Sequence, residues 1–381
     1  MTEVIEVRAG DFVRLAQETQ LADELRQLAQ RSMEANVFYE DWMLLPALRL
    51  LQAAADLRMV CVRNSRSLLA LLPLELTCHP HFSRLPMLRS WRHAYCFLCT
   101  PLIDARYLRE CADALAGWLE SRAAPAALLE FHSCALDGTF GQMFLTALSR
   151  RLGWVRDVRA TNRALLSRGA TAPFGVSAKH RKELRRLERR LSDAGRLRYS
   201  VLHPGEDFEP WIAQFLALES AGWKGRANSA LDSGDADRQF FRAIVGAAHR
   251  RGRLQLLKLE VGDTVAAMKC NFLAVPGSFA FKIAYDETYA KYSPGLLLEL
   301  FNAKWMLLEC PQLTWMDSCA DPGQAMIERL WTERRKIGGQ LVCGRGLVPR
   351  AVVLAGPIYR RAKAIFRRPP EPDPGRPPGP Q

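Results

Sequence analysis

One stretch constrains the fold more than any other. Ala280-Phe-Lys-Ile-Ala-Tyr-Asp286 reads as a strand that stops abruptly, and Tyr292-Ser-Pro294-Gly295-Leu-Leu-Leu298 reads as the start of a helix. Pro suits the first helical turn, where its fixed φ is already helical and its missing N–H is no loss. The free N–H groups of that turn and the positive end of the helix dipole form a cradle for an anion, and Gly295 lets a ligand approach the backbone. Lys291 adds a full positive charge nearby. Any α/β domain has several strand-to-helix junctions, so the neighbours must carry the rest. Residues 254–261 and 264–273 read as strands joined by a tight Gly262-Asp263 turn, and 278–285 as a third strand after Pro276-Gly277. An apolar helix over 296–308 and a strand over 312–318 follow. The order is meander, helix, strand.

The 381 residues are enough for two ordinary domains, and 49% hydrophobic with 24% charged residues is the make-up of a water-soluble chain. No apolar run approaches the ~20 residues of a membrane helix, so neither a signal peptide nor a span is expected. Ten irregularly spaced cysteines fit reduced thiols in a cytoplasmic protein better than a disulfide framework. Cys96-Phe-Leu-Cys99 has metal-ligand spacing near Cys78, His79 and His81. A second such pair is absent and the run is apolar, so buried core cysteines and no metal are expected.

The first half alternates helix-like and strand-like segments at 11–32, 41–54, 59–62, 68–76, 107–121, 128–133 and 140–152, a mixed α/β pattern. A Gly/Ala/Thr/Pro-rich joint at 167–176 separates a domain over 1–166 from one over 177–366. Within the latter, 197–202 reads as a strand, and 208–221 and 235–251 as helices. Seven of the thirteen residues over 369–381 are proline, so the tail from 367 is expected to be disordered.

Net charge is +13 and concentrated. Residues 179–190 hold seven Lys/Arg against two acids, with Arg181, Arg185, Arg189 and Lys182, Arg186, Arg190 stacked at i, i+4 spacing. Residues 345–368 hold seven with no acid, and 356–368 reads as a short basic amphipathic helix. Such clusters point to an anionic partner, which could be CoA, nucleic acid or weakly held anionic lipid, although a solvated face or a docked terminal helix is the ordinary explanation. DNA is not expected, because no second helix at turn spacing and no zinc or zipper signature accompanies the basic helix.

Specific words carry a resemblance. Ser177-Ala-Lys179-His-Arg181-Lys182-Glu-Leu-Arg185-Arg186, then Leu218-Glu219-Ser-Ala-Gly-Trp223, then Ala284-Tyr285-Asp286 to Tyr292-Ser293-Pro294-Gly295 occur in that order, with weaker words Phe38-Tyr-Glu-Asp-Trp42 and Leu69-Ala-Leu-Leu-Pro73 upstream. In these the chain resembles the BioF-like or CelD-like acetyltransferases, a branch of the GNAT superfamily related to the FemABX transferases. The resemblance implies an α/β (α+β) fold of tandem GNAT-like domains, each a mixed, largely antiparallel sheet flanked by helices, the first degenerate. It also implies an N-acyltransferase, cytoplasmic or peripheral to the inner membrane face. The donor would be acetyl-CoA or another acyl-CoA, and the acceptor a small amine, amino sugar or polysaccharide precursor. FemABX relatives point instead to a tRNA-linked donor, and an adaptor role in exopolysaccharide assembly is a third reading. In place of the usual glycine-rich GNAT loop, Lys291-Tyr-Ser-Pro-Gly295 offers one glycine, which leaves the donor open.

In the resembling fold two strands splay beside the phosphate-binding helix and the pantetheine enters between them. Asp317, ending the second strand, is then the leading base candidate, with Asp286 and Glu219 beside it and Tyr292 (or Tyr289) as the acid for the leaving thiolate. Donor contacts fall to Tyr285, Lys291, Ser293, Pro294, Gly295 and Leu296. Trp223, one turn from Glu219, and Lys179, Arg181 and Arg185 are substrate-side candidates. Each has a plainer reading: Asp317 and Asp286 as turn residues, Glu219 as a surface acid, the tyrosines as packing.

Overall fold

The computed structural model describes residues 2–51, 56–169, 178–227 and 230–354. The proline-rich tail, the basic segment 356–368 and most of the joint at 167–176 lie outside them. The first half runs β1 (Glu3–Arg8), α1 (Ala9–Glu18), α2 (Leu21–Arg31), α3 (Asp41–Leu50), β2 (Leu57–Arg63), β3 (Leu68–His79), β4 (Phe82–Ser90), β5 (Leu102–Ile103), α4 (Leu108–Glu120), β6 (Leu128–Ala135), α5 (Leu145–Leu152) and β7 (Val155–Ser167). The second runs α6 (Ala178–Ser192), β8 (Leu197–Val201), α7 (Glu209–Ala221), α8 (Trp223–Arg226), α9 (Asp235–Arg250), β9 (Leu254–Val261), β10 (Thr264–Ala274), β11 (Gly277–Tyr285), α10 (Pro294–Glu309), β12 (Trp315–Asp317), α11 (Ala325–Leu330) and β13 (Glu333–Cys343). With α6 and β5 set aside, both halves have one plan: strand, helices, three antiparallel strands, helix, strand, helix, strand.

The expected mixed α/β architecture with a largely antiparallel sheet is what forms, but as one sheet of thirteen strands in the order β1-β2-β3-β4-β6-β13-β7-β12-β11-β10-β9-β8, β5 lying beside β3. That order is palindromic. The halves have exchanged their last strands: β7 pairs with β12 of the second half, β13 with β6 of the first, and the two exchanged strands pair with each other at the centre. Parallel pairing occurs at one equivalent place in each half, β4 with β6 and β11 with β12.

An arginine fastens each exchanged strand. Arg168, just past β7, donates to the carbonyls of Leu307, Met306, Cys310 and Leu313 at 2.6–3.0 Å, holding the end of α10. Arg345, past β13, donates to Leu119 and Ala124 carbonyls at the end of α4. A cation on the unpaired carbonyls of a helix C-terminus is favourable for the bonds and for the dipole. Between the halves α3 packs on α9, where Asp41 takes two bonds from Arg251 at 2.8 and 2.7 Å and Glu40 is held by Arg253.

The 11–32 segment forms two helices rather than one. The Thr19 hydroxyl bonds the Leu15 carbonyl and accepts from the Leu21 N–H, ending α1 and starting α2. Cys96 and Cys99 are buried as expected, in a loop rather than a strand, their sulfurs 3.9 Å apart.

Candidate active site

Three residue pairs join β11 and β12: Gly277 with Trp315, Ser278 with Met316 and Phe279 with Asp317. A Cβ at position 277 would lie 2.1 Å from the Trp315 ring, so glycine is required for this close approach. Beyond Phe279 the strands part. β11 continues to Tyr285, while the other chain turns away at Cys319, which has φ 54°. A cavity of about 440 Å³ opens in the gap.

At the far end of β11 the chain passes through a single 3₁₀ segment to Ser293, at φ 54° and ψ 54°, and enters α10 at Pro294. Ser293, Pro294, Gly295 and Leu296 line a second cavity of about 330 Å³, with Arg329 of α11 at its rim. The two cavities share Tyr285, Gly295 and Met326 as walls, so they adjoin, making a two-part groove with one part at the N-terminus of α10 and the other in the gap between the strands. The junction singled out from sequence therefore lines the outer of these two adjoining cavities.

The inner cavity is charged. Lys282 Nζ is 3.1 Å from Glu219 Oε1, and Glu219 also accepts the Leu231 N–H at 2.8 Å. Lys269 Nζ is 2.6 Å from Glu299 Oε2 with both side chains almost fully buried. Asn302 donates to Glu299, and Asn271 donates to Asn302 and Gln255, tying α10 to β9 and β10 beneath the cavity. Register pairs Cys270 with Lys282 and Lys269 with Ile283, so the two lysines project from opposite faces of the sheet. Both reach the cavity because, among the described residues, this end of β11 has no strand on its outer side. Asp321, at the mouth, is exposed and has no hydrogen bond or ion pair among the described residues. The Cys319 thiol also lines the cavity. Burial and the Asp317 charge hold it well above its ordinary range, so it stays protonated and is a poor nucleophile.

The sequence-selected residues divide on this frame. Tyr285, Ser293, Pro294, Gly295, Leu296 and Glu219 line the groove. Asp317 does not: it is wholly buried below the gap, accepting from Arg163 and Arg335 at 3.4 and 3.2 Å and from the Cys319 N–H at 2.8 Å. Its oxygens hold β12, β7 and β13 together. Asp286 caps the 3₁₀ segment through the Thr288 N–H and hydroxyl, the plainer of its two readings. Tyr292 lies between the Arg190 guanidinium and the Lys291 ammonium, at 5.6 and 5.0 Å from its ring centre, outside the groove. Lys179 and Arg185 line a separate basic groove along α6, while Arg181 is exposed on the same helix. The Trp223 side chain lies outside the described residues.

Sequence reading missed Lys269, Lys282, Glu299, Asp321 and, from the first half, Phe97. A signal existed for three of them: a lone charge in each of the apolar runs Ala266-Ala-Met-Lys269-Cys, Phe279-Ala-Phe-Lys282-Ile and Leu296-Leu-Leu-Glu299-Leu. A charge in such a run needs a buried partner or a cavity. Phe97 had none, since only the fold brings it here.

The segment that leads into this site, from α6 through most of α10, is similar to a GNAT-type acetyltransferase domain. Residues 178–306 match the family model described as an acetyltransferase (GNAT) domain. No curated protein matches the chain in sequence. Among solved structures the fold is similar to that of FemX, at 10% identity over 94% of this chain and 99% of that one, with a TM-score of 0.54. It is also similar to the C-terminal domain of a protein assigned as a lysylphosphatidylglycerol synthetase from Agrobacterium fabrum, at 12% identity over 92% and 97% of the two chains, with a TM-score of 0.50. At these identities the likeness is one of fold.

Proposed function

We propose that the protein is an acyl-CoA:amine N-acyltransferase of the BioF-like or CelD-like kind, with acetyl-CoA as first-choice donor and an amino sugar or polysaccharide precursor as acceptor. The observation that carries this reading is the pair of adjoining cavities, one at the α10 N-terminus and one in the gap between β11 and β12. The donor's pyrophosphate sits at Ser293–Leu296, against the positive end of the α10 dipole and the Gly295 N–H, the Ser293 and Leu296 N–H groups being already bonded to the Ala290 and Ser293 carbonyls, and its thioester arm passes Tyr285 into the inner cavity. The acceptor amine attacks the thioester carbonyl directly. The C–N bond forms, the C–S bond breaks, and the thiolate takes a proton from the Tyr285 phenol at the junction of the two cavities. Asp321 is the free carboxylate available to take the amine's proton, and Glu219 orients the acceptor. Asp317 positions the strands from below.

Calorimetric titration with acetyl-CoA and desulfo-CoA tests the donor. A Cβ on Gly295 would meet Tyr285 and Ile283 at 3.5 and 3.8 Å, ordinary contacts, so the fold is expected to tolerate a side chain there. Gly295→Asp, which puts charge and bulk against the pyrophosphate, is expected to lose binding at an unchanged melting temperature. Equal affinity in Gly295→Asp would remove the site.

A second reading has its own observation. The groove along α6 is lined by Lys179, Lys182, Arg185, Arg189, the Arg186–Glu183 pair and Arg329, which also lines the donor cavity. A tRNA-linked donor would use that surface, and its binding would weaken steeply with salt. The adaptor reading rests on residues 356–368, outside those described.

A further inference from the structure

In the second half β11 pairs with β10 from Ala274 and Gly277 through to Ala267 and Tyr285 as one strand. Its counterpart in the first half is broken. β4 pairs with β3 as far as Leu74 with Ser90, and β5 resumes beside β3 at Leu71 with Leu102 and Ala70 with Ile103. Of the eleven residues between, 91–101, Trp91 still donates its N–H to the Pro73 carbonyl of β3, and the rest leave β3.

This excursion does two things. Its end fills the first half's own gap: the Cys99 N–H donates to the Ser133 carbonyl, the Thr100 hydroxyl accepts from the Ala135 N–H, and Asn36 donates to the Leu98 and Thr100 carbonyls. Those backbone groups are thereby spent, and the place equivalent to the second half's opening is occupied by the chain itself. Its middle crosses to the other half. Tyr95 stacks on Phe240 of α9 at 5.5 Å between ring centres, with the Lys282 ammonium 5.1 Å from its ring centre. Phe97 meets Phe281 edge-on at 5.8 Å and lines the inner cavity, and its carbonyl accepts from Arg163 at 2.8 Å.

We propose that the first half, having closed its own gap, supplies the acceptor wall of the second, and that the cavity selects an acceptor with one ammonium group and an apolar or sugar-ring face. This rests on the acyltransferase reading. Charge sets the first part. The titratable groups lining the cavity, thiol and phenol aside, are Glu219, Glu299, Asp321, Lys269 and Lys282. The first two are matched by the lysines, which leaves Asp321, whose charge also acts on Arg163, as the carboxylate for a single ammonium and offers the further ammonium groups of a polycation no partner in the cavity. Shape sets the second. Phe97 and Phe281 offer rings against which C–H groups pack.

The test uses the full-length protein and thiol release from acetyl-CoA, with glucosamine, lysine and spermidine as acceptors. Glucosamine is expected to be preferred over spermidine. Phe97→Ala is expected to raise the acceptor KM at least tenfold and narrow that preference, with acetyl-CoA affinity within twofold of wild type. A Phe97→Cys variant gives a readout free of the donor: iodoacetamide is expected to alkylate the introduced thiol, located by peptide mass spectrometry, and acetyl-CoA to slow it. Unchanged acceptor constants in Phe97→Ala, a preference for spermidine, no transfer to any of the three amines by protein that binds acetyl-CoA, or an introduced thiol that stays unreactive in folded Phe97→Cys would each overturn the proposal. Failure of the wild type to bind acetyl-CoA, with the introduced thiol still reactive, would overturn the donor reading instead.

Discussion

At the scale of single residues, the most exacting arrangement is the Lys269–Glu299 pair, 2.6 Å apart with side chains 3% and 1% exposed. Removing one member of such a pair leaves a nearly buried charge without its partner, which costs about 3–5 kcal/mol, whereas replacing both by apolar groups of similar size is often neutral. Glu299→Leu is therefore expected to lower the urea midpoint strongly, and Lys269→Met with Glu299→Leu to recover most of the loss. Asn302 loses an acceptor in both, so recovery should be incomplete. Equal midpoints for the single and double variants would show that the pair holds no buried charge. The sequence announced such residues by type and not by role. Pro294 and Gly295 could be placed because helix starts follow local rules, and the groove is where those rules put it. Asp317 could not be judged, because the guanidinium groups on its oxygens come from positions 163 and 335.

Elements were legible where their own pattern decided them. The meander β9–β11 and helix α10 fall within two residues of expectation, since alternation, a Gly-Asp turn and a Pro start are local signals. β4, β7 and β13 were not read. Pro86 interrupts the first, and arginines and paired glycines break up the other two, so their pairing comes from distant strands. The 91–101 excursion was equally hidden, yet it carries a testable property. His93, 6% exposed, accepts the Tyr95 N–H at Nδ1, and its Nε2 has no partner among the described residues. Burial and the nearby Arg92 hold its pKa down at about 3. A histidine with a depressed folded pKa binds fewer protons native than unfolded, so its contribution is intact above about pH 6.5 and is lost as pH falls toward 3. Between pH 7 and 5 that amounts to about 2 kcal/mol. His93→Leu should show a smaller drop in urea midpoint over this interval than wild type. An identical drop would place the acid sensitivity elsewhere.

For the whole molecule, the exchange of last strands decides what a domain is here. The sequence reading divides the chain at the joint near 167–176, and in the structure each half is incomplete in its sheet. Without residues 1–169, β12 loses β7, β13 loses both β6 and β7, Asp317 loses the Arg163 contact, and the end of α10 loses the Arg168 clasp. Two strands would then present open edges at the middle of what was a continuous sheet, which is a template for aggregation. The inner cavity would also lose Phe97. Residues 178–381 expressed alone are accordingly expected to be insoluble or to melt without cooperativity, even though the matched family segment lies entirely within them. Co-expression with residues 1–169 should restore a soluble pair that co-purifies, since the strands can be exchanged between separate chains as well as along one. Sedimentation and thermal melts of the fragment and the pair decide the matter. If the fragment alone is a cooperatively folding monomer, the exchange is an ornament of the structure and not the bond that holds it; if only the pair folds, the first half is required for the fold of the second and not merely for its choice of acceptor.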